Sequence, residues 1–143
     1  MERRELIIGG AVAGASFISS QAFASGTMKK TKSAIKHGDL RKSTADCVET
    51  GETCTNHCLT LLKGGNTSLA ECLASVEEML SIVQATQKLA AMDSKLLAAQ
   101  AKVCRDACLA CEKECLKHKD HHKECADCAK ACKVCADACR KVM

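Results

Sequence analysis

The stretch from Cys104 to Cys139 sets the architecture of this chain, and it reads CRDACLACEKECLKHKDHHKECADCAKACKVCADAC. Its nine cysteines follow one another at gaps of four, three and four residues and, after a polar interruption, at gaps of three, four, three and four. Alternating gaps of three and four keep these positions on one inward stripe of a packed α-helix. The stretch therefore predicts two helices whose buried faces carry thiols where other bundles carry leucine.

The composition leaves little ordinary apolar material for a core. The chain of 143 residues contains 13 Cys and no Pro, Trp or Tyr, and its two Phe are Phe17 and Phe23. Such a Cys content is typical of a disulfide or metal framework. The net charge of +4 is spread along the chain, without the concentrated basic face and stacking aromatic residues of a nucleic-acid site. We therefore expect no nucleic-acid partner.

The N-terminus has the pattern of an export signal. Arg3-Arg4 precedes an apolar run, residues 6–18, that is too short to span a bilayer. Ala22-Phe23-Ala24 supplies a small-x-small cleavage signal. The paired arginines resemble a twin-arginine signal, although the usual Ser or Thr before the pair and Phe shortly after it are missing. A Sec signal or an uncleaved anchor are the alternatives.

Three parts follow from this pattern. Residues 1–24 are predicted to be a twin-arginine-like export signal, residues 25–33 a flexible segment, and residues 34–143 a Cys-rich bundle. The protein is expected to be exported, to the periplasm, without stable membrane insertion after processing.

Hydrophobic periodicity and turn residues predict four helices in the bundle. Short connections make consecutive helices antiparallel, so the fold class is all-α, an up-down-up-down four-helix bundle with a cysteine-lined core. Glycine favours a helix end, and a Thr or Ser followed by Glu favours a helix start. The predicted bounds are Ile35 or Asp39 to Leu62 before Gly64-Gly65, Thr67 or Ser68 to Ala91, Ser94 to Lys117, and Asp120 to Val142.

Antiparallel packing brings cysteines to equal heights. Beyond the thiols along the bundle axis, we expect an apolar plug formed by Leu80, Val83, Leu89 and Leu97. The expected pairs are Cys115 with Cys125, Cys111 with Cys128, Cys108 with Cys132, Cys104 with Cys135, and Cys58 with Cys72.

Helix geometry favours metal binding over disulfides within a helix. Side chains three or four residues apart have Cβ atoms about 5–6 Å apart, whereas a disulfide needs about 3.5–4.5 Å. An ion bridging two sulfurs at ~2.3 Å each spans the wider gap. Disulfides between helices and a purely packing role for Cys stay open as alternatives.

Among soft metals, the pattern favours Cu(I). Zn(II) takes four thiolates, which leaves excess negative charge in a dry core, and ferredoxin-type clusters use a Cys-Pro signature. Cu(I) selects thiolates, and one ion per thiolate leaves the core neutral. We expect multiple Cu(I) ions per chain. Zinc or other soft-metal sequestration and a thiol/disulfide redox protein are the alternatives. We expect no enzyme, since no cysteine is set apart from the ladder as an activated nucleophile.

Two motifs resemble the exported branch of the bacterial copper storage protein family. They are Cys47-x6-Cys54-x-x-His57-Cys58 and the run of five cysteines from Cys125 to Cys139. The resemblance covers about two-thirds of the chain. It implies storage of many Cu(I) ions, mostly between paired Cys sulfurs, assembly into a homotetramer, and a copper-requiring recipient protein.

The resemblance also carries one histidine over to this chain. His57 matches a family histidine that helps to bind copper at the open end of the bundle. Family members can place Met around that end, but this chain has Leu59-Thr60-Leu61-Leu62 there. His118, His121 and His122 are candidates to assist ion entrance, while Met79 is interpreted as packing, with thioether ligation as the alternative. The predicted metal ligands are Cys47, Cys54, His57, Cys58, Cys72, Cys104, Cys108, Cys111, Cys115, Cys125, Cys128, Cys132, Cys135 and Cys139.

Overall fold

A computed structural model describes residues 35–143 as four helices joined by short connections. The helices are α1 (Gly38–Lys63), α2 (Ala70–Ala91), α3 (Leu97–Leu116) and α4 (Lys123–Arg140). Helix α1 packs against α2 and α4, and α3 packs against the same two helices, so α1 and α3 lie on one diagonal. The all-α antiparallel four-helix bundle is confirmed. The predicted export signal (1–24) and flexible segment (25–33) lie outside the described residues.

The end of α1 follows from two consecutive glycines. Gly65 adopts the left-handed conformation with φ 83°, which a side chain would make strained. The N–H of Gly65 donates to the Leu62 carbonyl at 2.9 Å and that of Asn66 to the Leu61 carbonyl at 3.0 Å. This is a Schellman motif, so the glycine pair ends the helix as its sequence predicts.

The predicted start of α2 is wrong. The helix begins at Ala70 with Leu69 at the N-cap position, and no side chain caps it. The Ser68 N–H instead donates to Asn66 Oδ1 at 2.9 Å, so the polar residues form a turn of their own. Leu69 is fully buried. Its burial fixes where the helix starts.

The predicted start of α4 is wrong as well. His122, not Asp120, holds the N-cap position, and it makes no side-chain capping bond. Helix α3 begins three residues later than Ser94, because Ser94 to Leu96 form a turn in which the Leu97 N–H donates to the Ser94 carbonyl at 3.0 Å. Both helices are therefore shorter at their N-termini than the sequence pattern indicates.

The apolar plug comes largely from α2. Val76, Met79 and Val83 are fully buried, and Leu80 and Leu97 nearly so, while Leu89 is only partly buried against them. Gly51 of α1 faces this plug, and a Cβ at that position would lie 2.8 Å from Leu80 Cδ2. Side chains of α2 thus pack directly against the α1 backbone at Gly51. None of the four helices within residues 35–143 combines the length and apolar character needed to span a bilayer.

Candidate metal centre

All 13 cysteines point into the bundle core. Each has an exposed fraction of 0%, and each is a free thiol. They come from all four helices: three from α1, one from α2, four from α3 and five from α4. The alternating spacing puts them on the inner stripe of each helix, so the thiols form one continuous column along the bundle axis.

Facing thiols of α3 and α4 meet close to the expected heights. Cys111 Sγ lies 3.9 Å from Cys128 Sγ. The pairs Cys108 with Cys132 and Cys104 with Cys135 each belong to a group whose sulfurs all lie within 4.8 Å of one another, as does Cys58 with Cys72.

The fourth pair of these two helices is arranged around a thiol from α2. Cys72 Sγ lies 3.5 Å from Cys115 Sγ and 3.9 Å from Cys125 Sγ. Cys72 is the one cysteine of α2, and it reaches across the bundle to α4, the helix diagonally opposite. The column is therefore narrow enough for all four helices to share it.

The thiols of α1 contact thiols of the other helices in the column. Cys47 Sγ lies 3.8 Å from Cys132 Sγ, and Cys54 Sγ lies 3.9 Å from Cys125 Sγ. Cys47 also shares a group with Cys108 of α3, with their sulfurs within 4.8 Å. Cys47 and Cys54 thus each face partners on both α3 and α4.

These distances suit bridging ions. The sulfur–sulfur contacts of 3.5 to 3.9 Å are far longer than the ~2.05 Å of a disulfide. An ion with two or three bonds of ~2.3 Å to sulfur holds those sulfurs roughly 4–4.6 Å apart. The observed contacts lie within about 1 Å of this spacing, so the thiols are placed where soft metal ions could bind between them.

The groups contain three thiols each. In residues 35–143, five sets of metal-ligating side chains have all their ligand atoms within 4.8 Å of one another, and every set consists of three buried cysteines. The sets are Cys47–Cys108–Cys132, Cys54–Cys58–Cys72, Cys54–Cys115–Cys128, Cys104–Cys135–Cys139 and Cys111–Cys128–Cys132. Several cysteines belong to two sets, so neighbouring sites share ligands.

Contacts with neighbouring thiols, together with burial, raise the pKa of most of these cysteines. Desolvation raises the pKa of Cys58 to about 11 and that of Cys125 to about 12, because a buried thiolate loses its hydration. A hydrogen bond donated by Cys115 lowers the pKa of Cys72 to about 3, whereas contact with Cys111 raises the pKa of Cys115 itself. The thiols that donate these hydrogen bonds must keep their protons. The thiols of the metal-free column therefore stay mostly protonated, and ion binding must release protons.

Histidines gather at the end of the bundle where the α1–α2 and α3–α4 connections lie, which we term the histidine end (His57, His118 and His122). His57 Nε2 lies 2.9 Å from His122 Nδ1, and His57 Nδ1 lies 3.6 Å from Glu124 Oε2. The rings of His118 and His122 are 6.5 Å apart. All three histidines are partly buried, next to the outermost thiols, whereas His121 is exposed.

Two residues at the histidine end make contacts with His57 that the sequence did not predict. His122 contacts His57, and Glu124 approaches the same imidazole. The signal was present in the spacing, since His122 lies three residues before Cys125 and His118 three residues after Cys115. His118 and His122 therefore continue the inward register of α3 and α4 beyond the outermost thiol at this end of each helix.

The fold and this column define a class of protein, a helical bundle that presents clustered buried thiols to soft metal ions. A sequence model described as "Csp: Copper storage protein" matches residues 33–143. The chain belongs to the copper storage protein family. A search of curated protein sequences finds no significant match.

Solved structures of similar fold agree with this membership. Apo copper storage protein 3 from Bacillus subtilis is 31% identical, with a TM-score of 0.64, covering 73% of this chain and 95% of the other. A Cu(I)-bound copper storage protein, BsCsp3, is 30% identical with a TM-score of 0.64, over 72% and 93% of the two chains. The Streptomyces lividans protein Ccsp, at 22% identity and TM-score 0.68 over 75% and 83%, shares the fold.

Proposed function

We propose that this protein binds and stores multiple Cu(I) ions in its thiol column. The observation that carries the proposal is the set of 13 free, fully buried cysteines whose sulfurs approach one another across all four helices. The proposed ligands are the thirteen cysteines, with His57 assisting at the histidine end.

Charge balance supports Cu(I) as the stored ion. Each ion carries one positive charge and replaces the single proton of one thiol, so a column filled at one ion per cysteine has no net buried charge. A buried net charge is costly in a core of low polarity. Dense packing of ligands is therefore compatible with a dry core only for a monovalent soft ion.

The size of the thiol groups favours Cu(I) over Zn(II). Structural zinc takes four ligands in a tetrahedron, whereas every close group in the described part of the chain offers three. Two or three sulfurs satisfy Cu(I), which selects thiolates. The Cu(I)-bound state of BsCsp3 and the loading of the Streptomyces lividans protein with 10 copper equivalents support the same assignment.

The role is storage without catalysis. Copper storage is the description of the matching family, and each thiol of the column is buried. A catalytic cysteine is partly exposed and activated in an electropositive setting. The proposed outcome of binding is sequestration, with release to a copper-requiring recipient protein.

Anaerobic titration tests the storage function directly. The reduced protein should take up about 13 Cu(I) ions per chain, one for each cysteine, and release about one proton per ion at neutral pH because most thiols start protonated. The measurement is Cu(I) absorbance against a competing chelator, with a pH indicator in weak buffer. Saturation at one or two ions would indicate a chaperone or sensor instead.

Matched histidine variants in the same titration test the role of the histidine end. His57→Ala keeps every thiol, so its final stoichiometry should equal that of the wild type while its first ions load more slowly. His121→Ala removes an exposed histidine of the neighbouring turn and should load at the wild-type rate. Equal rates for the two variants would remove His57 from the proposal.

We propose that the protein is exported through its N-terminal segment. Arg3-Arg4, the apolar run and the Ala22-Phe23-Ala24 signal support cleavage of residues 1–24, leaving residues 25–33 as a flexible segment ahead of the bundle. The family resemblance supports a homotetramer, which sedimentation of the mature protein would test.

Mass spectrometry checks the export proposal. The protein isolated from its native host is expected to begin at Ser25 and to occur in the periplasmic fraction. The control is an Arg3→Lys/Arg4→Lys variant, which should retain the leader and stay in the cytoplasm because a twin-arginine signal requires the pair. A wild-type protein that keeps its leader in the cytoplasm would contradict the proposal.

A further inference from the structure

Helix α1 lacks one thiol from an otherwise regular ladder. Cys47, Cys54 and Cys58 have the spacing of the α3 cysteines Cys104, Cys111 and Cys115, but the α1 position that corresponds to Cys108 is Gly51. Gly51 lies four residues after Cys47 and three before Cys54, on the buried face of the helix. The missing side chain leaves space beside the column at mid-height.

Two side chains of the neighbouring helix occupy this space, and one of them carries a sulfur. Met79 and Leu80 of α2 pack next to Gly51, where an added Cβ would lie 2.8 Å from Leu80 Cδ2 and 3.1 Å from Met79 Cε. The Met79 thioether Sδ is 3.4 Å from Cys47 Sγ, which donates a hydrogen bond to it. Met79 is fully buried. The column therefore contains a fourteenth sulfur, supplied by α2 at the position where α1 has none.

We propose that Met79 is a copper ligand, a neutral thioether donor that forms a three-coordinate site with Cys47 and Cys132. The proposal rests on the storage of Cu(I) proposed above. Met79 Sδ forms a coordinate bond through a lone pair, and because a thioether has no proton, this bond releases none. Oxidation states do not change.

The distances fit a three-coordinate ion. Three bonds of ~2.3 Å in a plane place the sulfurs about 4.0 Å apart. Cys47 Sγ lies 3.4 Å from Met79 Sδ and 3.8 Å from Cys132 Sγ. Thioethers and thiolates are both soft ligands that select Cu(I), so the ion can bind this sulfur and its thiol neighbours together.

A packing role for Met79 makes a different prediction. Met is a flexible filler of irregular gaps, and Leu has a similar volume, so a filler is replaceable by Leu without any change at the metal. A ligand is not, because Leu has no donor atom. The two roles can therefore be separated by observing the Met79 chalcogen atom itself.

The experiment uses selenomethionine-labelled full-length protein, filled anaerobically with Cu(I). Selenium K-edge absorption fine structure should contain a selenium–copper shell at roughly 2.4 Å, slightly beyond the ~2.3 Å of a metal–sulfur bond. Met79→Leu should abolish this shell while keeping the copper–sulfur shell at the copper edge. Met92→Leu is the matched control, since Met92 is 75% exposed, and it should keep the selenium–copper shell.

The outcomes separate this proposal from the storage function. Copper–sulfur scattering without a selenium–copper shell in the wild type would overturn the role of Met79 and leave storage intact. Persistence of the shell in Met79→Leu would assign it to another Met and also overturn the proposal. A protein without bound copper at the copper edge would overturn both.

Discussion

Removal of copper from the loaded protein is expected to lower its melting temperature by more than about 20 °C. Ions that bind only the folded bundle stabilise it by about 4 kcal/mol per site when free ligand is 1,000 times the dissociation constant. Two such sites already contribute roughly 8 kcal/mol, comparable with the whole stability of an ordinary domain. For a domain of this size, 1 kcal/mol corresponds to roughly 4–8 °C.

In the metal-free bundle, buried apolar side chains supply little stabilisation to replace that of the bound copper. The bundle's fully buried large side chains are few, chiefly Leu40, Leu69, Met79, Val76 and Val83, and the rest of the column consists of small thiols. Each close group of thiols draws its members from two or three helices. Unfolding therefore separates the ligands of each site, and the bound ions link the four helices.

Calorimetry under anaerobic, reducing conditions measures this difference. The loaded protein is compared before and after treatment with a Cu(I) chelator, and re-addition of Cu(I) should restore the original melting temperature. Chelator added to protein that never contained copper serves as the control and should leave its melting temperature unchanged. Equal melting temperatures with and without copper would contradict the view that the ions lie between the helices.

Val83→Asp is expected to destabilise the metal-free protein by roughly 4 kcal/mol or more. Val83 is fully buried in the apolar plug, within the same core cluster as Leu80 and Leu97. A carboxylate there loses its hydration without gaining a charged partner, which is among the costliest changes a core can receive. Because net stabilities are only about 5–15 kcal/mol, the substitution should remove a large share of the stability of the metal-free protein.

Gln84→Asp is the matched control for this substitution. Gln84 follows Val83 on the same helix but is exposed, so the same new carboxylate stays hydrated and should cost only about 0.5 kcal/mol. Urea unfolding followed by far-UV circular dichroism measures both variants against the wild type. Similar midpoints for Val83→Asp and the wild type would show that the plug is not a packed core.

Much of the fold and the site could be predicted from the spacing of residues along the chain. The alternation of threes and fours puts a cysteine on every turn of the inner face, and the Gly64-Gly65 pair ends α1 through the left-handed conformation of Gly65. These are local properties, because the period of an α-helix and the conformational freedom of glycine do not depend on distant parts of the chain. Four helices with inward thiols follow from them.

Helix starts were less predictable for a physical reason. Side-chain capping by Thr67, Ser68 or Asp120 is worth about 1 kcal/mol, which is less than the gain from burying a leucine such as Leu69. Tertiary packing therefore sets the first residue of α2. A capping preference of this strength does not set the start of a helix where burial of a side chain favours a different first residue.

The amino-acid sequence thus fixes which residues face inward, whereas packing of the four helices fixes which sulfurs meet. Cys72 joins Cys115 and Cys125 across the bundle, and Met79 and Leu80 pack into the space left by Gly51. Neither contact follows from spacing within one helix, because each depends on how closely two helices approach and how they are rotated about their axes. Those quantities result from side-chain volumes summed over the whole core.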